Sequence, residues 1–152
     1  MKKSLVIIFL SFFLISCGSG GSDSGGMVDA TLPGTNVPAS FVGVYAGTLN
    51  LTASALGITE SDSFPITITV TEDAMVRFDG DSPDETFTVG IENGGAFRGN
   101  LAVDEDECSG NISVTGTVDG TTASGTVSGD GVCSLNGTNV DVTLSGDFSA
   151  GR

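Results

Sequence analysis

From Phe41 onward apolar and polar residues alternate with a period of two, in runs rich in Thr, Val, Ile and Phe that are separated by Gly, Asn and Asp. A period of two puts successive side chains on opposite faces of a strand, so the pattern predicts half-buried β-structure rather than helix. Eight strands are expected, at 41–52, 64–71, 75–79, 85–92, 96–104, 109–118, 121–128 and 138–149. The last is the clearest: Val140, Val142, Leu144 and Phe148 share one face, and Asp141, Thr143, Ser145 and Asp147 share the other. The short connections imply an all-β, antiparallel, sequential meander. Eight such strands remove their exposed edges by closing into a small up-and-down barrel, and a two-sheet β-sandwich is the alternative.

Turn chemistry refines two of these hairpins. Asp119-Gly120 suits a two-residue primed turn, which sets Val118 opposite Thr121, Val114 opposite Gly125, Ile112 opposite Val127 and Cys108 opposite Gly131. A two-residue turn at Asn93-Gly94 would set apolar positions against the polar face of the next strand. A three-residue Asn93-Gly94-Gly95 loop pairs Ile91 with Phe97 and Phe87 with Leu101, and is preferred because Gly supplies the left-handed position such a loop needs.

The first 16 residues follow a different pattern. Lys2 and Lys3 precede an apolar run, Leu5 to Ile15, broken only by Ser11. A spanning helix needs about 20 apolar residues, so this run reads as an export signal that is removed. Leu14-Ile15-Ser16-Cys17 then resembles the bacterial lipoprotein lipobox. The resemblance implies cleavage before Cys17, acylation of its thiol, and attachment to a lipid bilayer. Gly18 stands where an Asp would imply inner-membrane retention, so the outer membrane of the cell envelope is the expected location. An ordinary secretory signal that happens to contain a cysteine is the plainer alternative. Residues 17–40, rich in Gly, Ser, Thr and Pro, read as the lipidated N-terminus and a flexible tether, and 41–152 as one domain.

Removing Lys2 and Lys3 with the signal leaves three of five basic residues against 19 acidic ones, a net −16. That charge argues against nucleic acid or anionic lipid as a partner. The chain has no His and no Trp, and the expected mature chain has no Lys, which removes imidazole bases, His metal sites and Schiff-base chemistry. No catalytic residue and no cofactor is assigned. With Cys17 acylated, Cys108 and Cys133 form an even pair that the hairpin register brings near each other, and in an exported chain they are expected to form a structural disulfide.

Two acidic groups, Asp79 to Glu85 and Asp104 to Glu107, contain the only metal-ligand candidates: Asp79, Asp81, Asp84, Asp104 and Asp106, with Ca²⁺ as the cation. They lack EF-hand spacing, and solvated turns that blunt strand pairing are the simpler reading. The Asn-x-Ser/Thr sequences at Asn50, Asn111 and Asn136 are expected by chance in so Ser/Thr-rich a chain.

Gly43-Val44-Tyr45, near the start of the first strand, resembles the Gly-x-Trp of small lipocalin-like barrel lipoproteins, with Tyr in place of Trp. That resemblance implies a carrier of a small apolar ligand. The expected function is a non-enzymatic envelope lipoprotein acting as a structural or interaction module with an envelope protein partner. The ligand carrier is the alternative, and a carboxylate enzyme or Ca²⁺-binding module comes behind both.

Overall fold

The computed structural model describes residues 27–28, 30–79, 86–105, 108–135 and 137–152. Among these, the strands are β1 (Met27–Val28), β2 (Gly43–Ala55), β3 (Ile58–Val70), β4 (Met75–Asp79), β5 (Thr86–Gly90), β6 (Ala96–Glu105), β7 (Cys108–Val118), β8 (Thr122–Leu135) and β9 (Thr138–Gly151). β2 to β9 form an antiparallel meander. β9 pairs back onto β2, giving the order β6-β7-β8-β9-β2-β3-β4-β5 and a nearly closed barrel with one seam, between β5 and β6.

The strands run longer than the alternation predicts on one side of the barrel. β2 and β3 continue through 53–63 into a hairpin closed by Leu56 and Gly57, and β8 continues through Gly129 and Gly131 to Leu135. Small and polar residues hide the pattern in the first case. The outer face there is held by hydroxyl rungs, Thr52 Oγ1 to Ser61 Oγ at 2.8 Å and Ser54 Oγ to Thr59 Oγ1 at 2.9 Å. In the second, the glycines read as breakers but lie on the inward face of β8, packed on the β7 backbone.

The β7–β8 register differs from the expected one by two residues. Val118 pairs with Ala123, Val114 with Val127, Ile112 with Gly129 and Cys108 with Cys133. The cause is Asp119, whose carboxylate accepts the Thr121 and Thr122 amides at 2.8 and 2.7 Å and so draws four residues, 119–122, into the turn. A shift of two keeps every side chain on its expected face. The three-residue loop at 93–95 forms as expected, with Glu92 N–H donating to Ala96 O and Gly95 at φ 88°.

Beyond that loop β5 and β6 do not zip together, and Phe87 does not pair with Leu101, because residues 30–36 occupy the seam. Thr31 N–H donates to Arg98 O (2.8 Å), Gly90 N–H to Thr31 O (3.0 Å) and Gly34 N–H to Ile91 O (2.8 Å). β1 continues this strap along β6, with Met27 opposite Leu101 and Val28 opposite Asn100. Ala30 and Val37 pack on the core. The ordered domain therefore starts well before Phe41, and at least residues 30–40 of the expected tether belong to the barrel. Satisfying the open edges of β5 and β6 is the physical reason.

Candidate functional site

The barrel has two unlike ends. At the closed end the chain crosses beneath the strands through a turn at 38–42, and the connections β3–β4, β5–β6 and β7–β8 gather there. Tyr45, the residue that carries the lipocalin resemblance, is fully buried at this end, and its hydroxyl donates to Phe41 O at 2.7 Å. Arg152, just past β9, lies over its ring with Cζ 5.5 Å from the centroid. The same guanidinium donates to Ser40 O at 2.8 Å, Gly120 O at 3.3 Å and Val42 O at 2.5 Å. One cation thus ties the crossing turn, the β7–β8 turn and the buried phenol together. Burial pushes the Tyr45 hydroxyl above its ordinary pKa, with the Arg152 charge opposing.

Above Tyr45 the interior is filled by rings. Phe78 makes edge contacts with Phe87, Phe97 and Phe148 at centroid distances of 5.5, 5.7 and 5.4 Å, and Phe97 stacks on Phe148 at 6.2 Å. Gly116 and Gly125 face each other across β7 and β8, and a side chain on either would strike the Phe148 ring. These glycines set the depth of the aromatic plug.

Among the described residues the strands at the other end reach unequal heights, which leaves an oblique mouth. β4 and β5 stop at Asp79 and Thr86, whereas β2, β3, β8 and β9 run on to Ala55, Ile58, Leu135 and Thr138. Within this taller wall the inward-facing Leu49, Phe64 and Val127 are only partly buried, as are Phe87, Leu101 and Ile112 around the rest of the barrel. An inward apolar side chain that water still reaches is the expected lining of a mouth that could admit an apolar group. Nearer the rim, the sulfurs of Cys108 and Cys133 lie 2.11 Å apart, at disulfide distance, among Ala55, Val140 and Val142.

The expected metal-ligand residues do not come together as far as the structure describes them. Asp79 pairs with Arg77 on its own strand, Nε to Oδ1 at 3.0 Å. Asp104 lies in β6 opposite Ser109. Asp81, Asp84 and Asp106 lie outside the described residues, as does Cys17. Among the described residues no three carboxylates or cysteines gather at metal-binding distance.

Three features escaped the sequence reading: the Arg152 latch, the strap in the seam, and the apolar tip at Leu56. The sequence carried a faint signal for the last two, since the run Ala30 to Thr59 holds no charged residue in a strongly acidic chain. No protein-family model and no curated protein matches the chain.

Proposed function

We propose that the chain is a lipid-anchored protein of the bacterial cell envelope, held at a membrane through acylated Cys17, and that its barrel is a non-enzymatic structural or interaction module. The outer membrane is the favoured site because Gly18 follows the cysteine. The observation that carries the module reading is the aromatic plug: Tyr45, Phe78, Phe97 and Phe148 take up interior space that a deeply bound substrate would need. The disulfide across β7 and β8 agrees with an exported chain.

Fractionating cells that express Cys17→Ser tests the anchor. Release or mislocalisation of a folded domain is expected, and a variant that stays membrane-bound with its signal removed overturns the lipoprotein reading. A second reading, a carrier of a small apolar ligand, is favoured by the partly buried inward residues Leu49, Phe64, Leu101, Ile112 and Val127 at the mouth. Native mass spectrometry of protein purified from its own host separates the two. A stoichiometric bound small molecule would replace the module reading with the carrier one, and its repeated absence would remove the carrier.

A further inference from the structure

The tip of the β2–β3 hairpin combines three properties that intramolecular packing does not account for. Leu56 is held at φ 53°, a left-handed conformation that L-residues with a branched side chain rarely adopt. It is also 73% exposed, and its neighbour across the turn, Ile58, is 53% exposed. Of the two described non-glycine residues with positive φ, Ala74 at least is buried. Backbone strain kept on an exposed apolar side chain points to a contact outside the molecule.

Where the chain comes from identifies the contact. β1 lies beside Leu101 and Asn100, and the strap runs from there toward Asn93 at the closed end. The chain therefore enters the barrel from the mouth side, the same side as Leu56. Only residues 18–26 separate Cys17 from Met27, a reach of about 35 Å at full extension. The tip itself lies in the charge-free run that ends at Thr59, and the Thr52–Ser61 and Ser54–Thr59 rungs brace it. The closed-end turns carry Glu72, Asp73, Glu92 and Asp119, and at the mouth Asp79 ends β4 while Asp104 and Glu105 end β6.

We propose that Leu56 and Ile58 rest in the interface of the bilayer that holds Cys17, so that the barrel mouth faces the membrane. This rests on the anchoring reading. Glu60 and Asp62 stand next to the tip on β3, and Asp141 lies one residue beyond the partner of Ala55 on β9. The surface that fits is therefore a zwitterionic phospholipid, and anionic lipid repels this end.

The chain has no Trp, so a single substitution gives a clean fluorescent probe. Leu56→Trp and Ile58→Trp report the tip, and Gly94→Trp, in the open β5–β6 turn, reports the closed end. Each full-length protein is produced in a bacterial host and reconstituted into phosphatidylcholine vesicles with and without brominated acyl chains. Emission from either tip probe is expected to move to shorter wavelength and to be quenched roughly twofold or more relative to Gly94→Trp, with the effect shrinking as phosphatidylglycerol is added. Water-like emission from both tip probes, or stronger quenching of Gly94→Trp, overturns the orientation. A concentration-dependent shift without vesicles overturns it too, because the tip then docks on a second copy of the chain.

The mass of the Cys17 peptide reads the anchor separately. If that thiol is unmodified the anchoring reading fails. Coupling it to a maleimide lipid then supplies the tether, and the same fluorescence still decides whether the tip meets lipid.

Discussion

Leu56 occupies a turn position whose backbone favours Asn, Asp or Gly. With Gly57 at φ 75° after it, the pair has the two positive φ values of a primed two-residue turn. Replacing Leu56 with Asn should relax the left-handed strain and raise stability by about 1 kcal/mol, read as a shift of the urea midpoint at unchanged slope. A fall in stability would mean that Leu56 makes an intramolecular contact its exposure does not suggest. Asp119 shows the converse, a polar side chain fully used. The amides of Thr122 and Thr121, then their hydroxyls, hold its carboxyl far below the ordinary carboxylate range. A depressed folded-state pKa gives stability that is present above the unfolded value of about 3.9 and is lost as pH falls through the folded value. Thermal melts of wild type and Asp119→Asn should therefore converge as pH is lowered below about 4, since the amide cannot titrate. A gap that stays constant with pH would remove this role for the carboxylate. Asp119 was legible as a turn residue, but the reach of its side chain to Thr122, and with it the register, was not.

Gly90 makes the strap possible. A Cβ there would run into the Thr31 carbonyl and the Leu32–Pro33 backbone, so only a bare backbone lets the strap lie across the end of β5. Its φ does not require glycine, which makes Gly90→Ala a probe of that contact alone. The variant should lose about 1–3 kcal/mol through overpacking. The amides of Thr31 and Gly34 should exchange faster with solvent, while Tyr45 and Ala150 in the closed-end core keep their protection. Unchanged exchange at Thr31 would mean that the strap is held by contacts other than this seam. The strap was not readable in advance because Thr-Leu-Pro-Gly-Thr has no alternation of its own. Its order comes from the unpaired edges of two strands about sixty residues away in sequence. β3 shows the same dependence, since β4 covers only Thr67 to Val70 and leaves the other edge of 58–66 without a paired strand among the described residues. Glu60, Asp62 and Pro65 on that stretch discourage a further strand, through charge and through the missing N–H of proline.

Taken as one body, the barrel is asymmetric, with rings and a guanidinium latch at one end and small residues with a disulfide at the other. The Cys108–Cys133 pair closes a 25-residue separation. Removing it with a Cys108→Ala, Cys133→Ala double substitution should cost about 3–4 kcal/mol in the chain-entropy picture, seen as a lower denaturation midpoint. A loss below about 1 kcal/mol would indicate that the long β7–β8 ladder already restrains that end. The two cysteines lie on the face that parity predicts and at disulfide distance, directly opposite each other rather than two positions apart as the expected register has them.

The sequence by itself determined the eight-strand meander, the inward faces and the shared face of the two cysteines. Those follow from local alternation, in which each residue's neighbours two positions away reveal its face. Only the tertiary structure decided that the strap joins the sheet, that Arg152 reaches Tyr45, and that one side of the mouth stands taller than the other. Those outcomes depend on which backbone groups remain unpaired after the meander closes, and no local pattern encodes that remainder.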